Sequence, residues 1–430
     1  MRYVIIGNSA AAIGAVESIR EHDQENPITI ISKEPHHTYS RPLISYLLGG
    51  LVGESRMAYR ADDFYERHNV KAMLGSTVTR VDTQNKLIHL AGGATVPYDQ
   101  LLVATGGTPF VPPLPGADLS GVFTFTTWED ARQIDRYIET HQVTSALVIG
   151  GGLIGLKATE ALLARQVKVT LVELADRILS VSFDRTASKV AESILERAGV
   201  DLHTTLTAQE IVGKQGHVDH AILQNGERVA CDMVVVAIGV RPNTAPVEPS
   251  EETGIQVNRG IVVDDHMRTT APDVYAAGDC CAAYDMLIDD NRTIAIWPTA
   301  YRQGAIAGAN MAGAERIYEG GFPMNAVEVY GVPTISVGIT DPQENIDEYE
   351  IMESYDREAL TYKKIVLKHN RIVGTIFIGD IDRAGIYTGL IRDRVDVTPF
   401  KAHLLSGNFG LISLPKEYRK HLVVGEGIMV

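Results

Sequence analysis

The chain opens on an unbroken apolar run, Tyr3-Val4-Ile5-Ile6, that stops at Gly7 and gives way to a helical pattern through Ile19 and Arg20. A second apolar run, ITIISKE at 28–34, follows. The same succession returns at 145–150 as SALVIG, then GGLIGLKATEALLAR, then KVTLVE at 168–173. Apolar runs of this kind predict strands. Strand, small-residue turn, helix and strand open a dinucleotide-binding fold. Two copies in one chain predict two nucleotides.

Further apolar runs end in small residues: LLVATGG at 101–107, MVVVAIG at 233–239 and DVYAAGD at 273–279, with a helical stretch near Ala300–Ala312. After Gly320 the texture changes. Tyr362–Leu367 and Arg371–Ile378 alternate like antiparallel strands around a turn at His369–Asn370. At 430 residues the chain exceeds what one core organises. The expectation is an α/β protein with two Rossmann-like dinucleotide-binding domains and a C-terminal α+β domain.

The second glycine turn is complete. Gly150, Gly152 and Gly155 satisfy G-x-G-x-x-G, with Leu153 and Ile154 between the last two. The first glycine makes the turn, the second lets backbone approach a pyrophosphate, and the third lets helix and strand pack closely. The helix N-terminus then presents unpaired N–H groups to phosphate. Glu173 ends the following strand, where a carboxylate accepts from both adenosine ribose hydroxyls and repels a 2′-phosphate, so NADH is expected over NADPH. The first turn is degenerate: Gly7 is followed by Ser9 and Ala12, giving G-x-S-x-x-A with Ala11 inside it, and Glu34 is its ribose candidate.

Net charge of -15 argues against general affinity for nucleic acid, and no run approaches the roughly 18 apolar residues of a membrane span. With MRYVIIGN leading straight into a strand, a cytoplasmic location is expected. Cys231, Cys280 and Cys281 form no metal-binding spacing and no disulfide framework.

The stretches YSRPLISYLLGG at 39–50, LLVATGGTP at 101–109, GGGLIGLKATEAL at 150–162, VELADRIL at 172–179, AAGDCCAAYD at 276–285 and WPTAYRQGAIAGANMAG at 297–313 carry a resemblance, and GIYTGLIRDRVDVTPFKAHLL at 385–405 extends it. Together they resemble the FAD-dependent pyridine nucleotide-disulfide oxidoreductase superfamily, within it the NADH-dependent reductases typified by rubredoxin reductase and the flavin module of assimilatory nitrite reductase. The resemblance implies a three-layer, glutathione-reductase-like arrangement: an FAD-binding domain from 1–109 and 241–320, an NAD-binding domain at 110–240 and an interface domain at 321–430.

It also implies roles. Asp279, with Gly278 beside it, holds the FAD ribityl chain; Ala104, Thr105 and Gly106 border the flavin nucleotide; Val78 meets adenine through its backbone. Arg41 and Pro42 pass over the isoalloxazine, where a cation stabilises reduced flavin, while Trp297 and Pro298 approach its pyrimidine end. Gly239 lies at the NAD site. Lys157 stands where many members carry Glu, close to flavin and nicotinamide, and either stabilises reduced flavin or is a solvated helix lysine.

Pro42 occupies the position of the redox cysteine in peroxidase and oxidase members, so a thiolate relay is not expected. Electrons are expected to leave from the flavin to an iron–sulfur carrier, rubredoxin- or ferredoxin-like, or to an iron–sulfur subunit of a larger complex, with the direction open. Arg392, Arg394, Lys401, Lys416, Arg419 and Lys420 are the basic residues expected to meet an acidic carrier. The rival readings are an NADH oxidase or diaphorase using dioxygen or quinones, and a docking subunit with a vestigial nucleotide site.

Overall fold

The computed structural model describes residues 1–415. The chain divides into two compact units. One comprises Met1–Val172 with Thr207–Phe322, the other Glu173–Leu206 with the chain from Pro323 onward.

In the first unit, the opening apolar runs form a parallel sheet in the order Val274–Ala276, Gln100–Val103, Tyr3–Ile6, Ile28–Ser32, Val70–Leu74. Tyr3–Ile6 is buried at every position, as a central strand covered on both faces must be. The second set is also parallel, with Ser145–Ile149 between Lys168–Glu173 and Met233–Val236, and Val122–Thr124 beyond. Both glycine turns therefore leave the C-terminal ends of central strands, where open α/β sheets bind ligands.

The helix after the first turn, Ala10–His22, packs lengthwise on Trp297–Met311. Only small residues permit this approach: a Cβ on Gly304 would lie 1.9 Å from the Ala11 carbonyl oxygen, and one on Gly14 2.4 Å from that of Tyr301. The packing brings the N-terminus of the second helix, at Trp297, toward the end of the sheet that carries Gly7.

The second unit is built on an antiparallel sheet in the order Met324–Val329, Val332–Gly338, Arg371–Ile378, Thr361–Lys368, Tyr349–Asp356, with the helix Ala384–Arg392 against it. The expected hairpin is present. His369 and Asn370, both at positive φ (49° and 55°), make its two-residue turn, the backbone geometry that matches strand twist. The helix Arg185–Arg197 packs within this unit. The α/β reading, parallel nucleotide-type sheets followed by an antiparallel C-terminal sheet, describes the protein.

Candidate functional site: a nucleotide cavity at the first glycine turn

A cavity of ≈ 590 Å³ lies at the C-terminal end of the first sheet. Gly7, Ser9 and Ala11 of the first turn line it, with Glu34 from the end of the neighbouring strand. Arg41 and Pro42 contribute from a 3-10 turn and Val78 from the start of a strand, Ala104, Thr105 and Gly106 from just past the strand Gln100–Val103, and Gly278, Asp279 and Trp297 from the A-G-D turn and the first unit's last helix. Two residues named with them stand off the lining. Ala12 is fully buried beneath the turn, and Pro298 is exposed in the first turn of its helix.

The local chemistry suits a dinucleotide. Ser9 is the N-cap of Ala10–His22 yet makes no side-chain cap, and the first helical turn holds no acid. Gly152 caps Leu153–Ala164 under the same conditions. The helices Trp128–His141 and Arg185–Arg197, by contrast, are closed by the side chains of Thr127 and Asp184. The two nucleotide-type helices thus keep N–H donors and dipole available to an anion.

The second turn uses its glycines as the motif requires. Gly150 has φ +108°, and a Cβ there would lie 2.6 Å from the Ala237 carbonyl oxygen. A Cβ on Gly155 would fall 1.8 Å from the oxygen of Gly150, whereas one on Gly152 would meet nothing within 4 Å. Gly155 serves packing and Gly152 leaves room for a ligand. Gly239, at φ +115°, is similarly open. Ile154, in the first turn of the helix after this second motif, lines the same cavity as Gly7 and Asp279, while Leu153 is not part of the lining. Glu173 ends its strand, and its carboxylate accepts the Ala175 N–H at 2.7 Å.

Within the cavity Arg41 pairs with Glu34 and donates to the Thr126 carbonyl at 2.9 Å. Glu34 also accepts from the Tyr39 hydroxyl at 2.6 Å. Burial opposes the Arg41 charge, but the carboxylates of Glu34 and Asp279 outweigh it and hold the guanidinium charged. Burial, reinforced by Glu34, pushes the Tyr39 phenol far up against the pull of Arg41, so it stays a donor. Asp279 is raised by burial, with Arg41 drawing it back. Lys157 does not line the cavity; its Nζ meets Glu160 at 2.6 Å and lies 5.9 Å from the Tyr46 ring centre.

Sequence reading missed several neighbours. Tyr39 holds Glu34 and accepts the Trp128 N–H at 3.1 Å. Thr105 donates to the Asn243 carbonyl at 2.6 Å, and Asn243 returns its N–H to Gly106 at 2.8 Å. His36 also lines the cavity, with a buried Nε2 that has no protein partner among the described residues. Tyr39 opens the stretch 39–50 that carries the resemblance; for His36 and Asn243 the signal was position, each coming soon after a strand end, where ligands gather.

No cysteine lines the cavity. Cys231, Cys280 and Cys281 are buried, and burial pushes all three thiols up, Cys231 to about 12.

Residues 1–304 match the family described as pyridine nucleotide-disulphide oxidoreductase. The chain belongs to this family. Residues 323–395 match the rubredoxin NAD+ reductase C-terminal domain. Among relatives, the nitrite reductase [NAD(P)H] of Bacillus subtilis (strain 168) is 34% identical over 400 residues, covering 92% of this chain and 48% of that protein. The NADH-dependent phenylglyoxylate dehydrogenase subunit epsilon of Aromatoleum evansii is 31% identical, covering 94% of both. The solved NAD-dependent persulfide reductase from A. fulgidus superposes with a TM-score of 0.86 at 26% identity, covering 94% of this chain and 79% of that one. This chain thus spans about half of the nitrite reductase and nearly all of the dehydrogenase subunit. As a pyridine nucleotide-disulphide oxidoreductase it is an oxidoreductase that works with FAD and NAD(H). Among the described residues no helix is long and apolar enough to cross a membrane.

Proposed function

We propose that this protein is an NADH-dependent flavoprotein reductase that exchanges electrons with an iron–sulfur protein or an iron–sulfur subunit of a larger redox complex. The observation carrying this reading is that Ile154, from the second nucleotide motif, opens onto the cavity lined by the first motif and by Asp279, while no cysteine does. FAD bound there supplies hydride exchange with nicotinamide and electron release in single steps, chemistry that belongs to the cofactor.

The chain's residues hold and orient. The N–H groups after Gly7 and Ser9 would hold the pyrophosphate, Glu34 the adenosine ribose, Val78 the adenine, and Asp279 the ribityl hydroxyls. Arg41, anchored by Glu34 and Thr126, lends positive charge to the cavity beside Asp279. Trp297 closes the wall and excludes water. Gly150, Gly152, Gly155 and Glu173 receive NADH, the carboxylate favouring a free 2′-hydroxyl.

A carrier as partner suits the chemistry: without a thiol relay electrons leave from the flavin itself, in the single steps that an iron–sulfur centre accepts. Relatives whose names include nitrite reductase and a dehydrogenase subunit, and the rubredoxin reductase-type C-terminal domain, support the same class. Of the basic residues expected at that interface, Arg392 pairs with Asp393 and Lys401 with Glu350, and Arg394 is also engaged within the chain. Lys416, Arg419 and Lys420 lie outside the described residues.

Anaerobic titration with NADH and, separately, NADPH tests the reading. Bleaching of the flavin band near ~450 nm at low NADH, then reoxidation by a small iron–sulfur protein faster than by air, is the expected result. Rapid reoxidation by air alone would replace it with an oxidase.

A further inference from the structure

The loop that leaves Glu173 is not held by its own neighbours alone. Between Glu173 and the helix Arg185–Arg197 the chain makes ties to the C-terminal sheet of the same unit. Arg177 pairs with Asp341 at 2.9 Å, and the Ser182 hydroxyl accepts from the Asn325 amide at 3.4 Å. At the loop's end stands Asp184. One of its carboxylate oxygens caps the helix at the Ala187 N–H, 2.9 Å away. The other accepts from Lys364 Nζ at 2.8 Å and from the Tyr362 hydroxyl at 2.7 Å.

All three of these side chains come from the interior. Asp184 is 6% exposed, Lys364 3% and Tyr362 1%. A lysine is almost never so deeply buried unless paired, and this one points at the cap of the helix that follows the nucleotide loop. Tyr362 also donates toward Glu353, and burial followed by the Asp184 hydrogen bond keeps its phenol strongly protonated. Internal bonds stiffen the rest: Ile178 N–H donates to Glu192 at 3.2 Å, and the Ser188 hydroxyl to the Ile178 carbonyl at 2.7 Å. A loop held at Arg177, Ser182 and Asp184 has little freedom left at its origin, Glu173.

We propose that Lys364, on the C-terminal sheet, is a positioning residue for nucleotide selection: through Asp184 it fixes the loop that orients the Glu173 carboxylate. The proposal rests on the reading of Glu173 as the residue that takes the adenosine ribose of NADH. It assigns the C-terminal sheet a part in choosing the nucleotide, separate from any part in docking a carrier. Buried ionic pairs serve such a role because geometry fixes which partners satisfy each other, whatever their net effect on stability.

The test is steady-state and anaerobic kinetics of the flavin-loaded full chain with NADH and NADPH. Lys364→Met keeps an unbranched chain one atom shorter and removes the charge. The expected result is a KM for NADH raised about three- to thirtyfold, a narrowed preference over NADPH, and unchanged kcat, flavin content and reduction by dithionite. Lys364→Arg, which restores a cation, recovers most of the loss. Should Lys364→Met fail to fold, Arg177→Gln carries the test, since its partner Asp341 reaches solvent and is not left as a buried charge.

A folded variant that melts earlier but keeps its KM for NADH and its preference overturns the proposal and leaves the pair as an anchor only. That outcome leaves the nucleotide reading intact if NADH bleaches the unmodified protein. An unmodified protein whose flavin NADH does not bleach overturns both.

Discussion

Arg41 and Glu34 are ion-paired inside the cavity at the first glycine turn, and the arginine's second nitrogen is fixed on the carbonyl of Thr126. The pair joins a loop residue to the end of a central strand, so each orients the other. Arg41→Met therefore acts on flavin retention. FAD affinity is expected to fall about tenfold or more, the size of a lost charge-assisted hydrogen bond in a buried site. Arg41→Lys recovers only part, because an ammonium lacks the planar fork that spans both acceptors. Fluorescence of released flavin during dilution measures both.

The three glycines of the second motif separate binding from folding. Gly152→Ala meets no protein atom within 4 Å, so its melting temperature and flavin content stay at the parental values while KM for NADH rises about tenfold. In Gly155→Ala the new carbon would sit 1.8 Å from a backbone oxygen, and the protein is expected to lose stability outright. Thermal melts alongside NADH titrations distinguish the two; equal stability of both variants would contradict the packing argument.

The strand ends that carry the candidate residues were legible in the sequence. Gly7, Gly150 and Asp279 each come just after a short apolar strand of three to five residues, and the small residues that bound these runs mark them as strands rather than helix segments. The pairing of Arg41 with Glu34 was not legible, because it depends on how the loop 35–40 folds back, with Tyr39 reaching the same carboxylate. Nor was the attachment of Asp184 to Lys364, two residues far apart in sequence whose types alone suggest solvated surface. Local pattern specifies strands and turns; it is silent on which distant side chains share a buried partner.

Glu17 gives a pH prediction. Burial would raise its carboxyl, but the Arg60 and Tyr301 hydrogen bonds outweigh that and hold it below the usual range. A depressed folded pKa stabilises above the unfolded value of about 4.3 and is lost as pH falls through the folded one. Glu17→Gln should thus cost about 1 kcal/mol near neutrality, and the gap in melting temperature from the parent should close below about pH 4. A gap that widens on acidification would refute the assignment.

Thiols should be dispensable. Cys280 and Cys281 are buried with raised pKa values, and Cys231 is pushed up to about 12. The native protein is expected to react slowly with a thiol reagent at pH 7. Replacing all three by Ala should leave the rate of flavin reduction by NADH within about twofold while lowering stability by about 1 kcal/mol per packed site. Loss of NADH-driven reduction in a folded, flavin-loaded triple variant would restore a sulfur relay.

The lengthwise contact between Ala10–His22 and Trp297–Met311 also sets the order in which the protein can be made. The first glycine turn leaves the ribosome well before the helix that seats against it, which, with Asp279 just ahead, is among the last parts of the first unit to be synthesised. A nascent chain therefore carries half a cofactor cradle, with an apolar helix face uncovered, while the whole stretch between the two helices is made. Closing so long a loop is slow, and that interval is when the newborn polypeptide most needs shelter from aggregation. Supply of the flavin then bears on the yield of folded protein as well as on its activity, because a ligand that binds only the closed cradle draws the last step of folding forward.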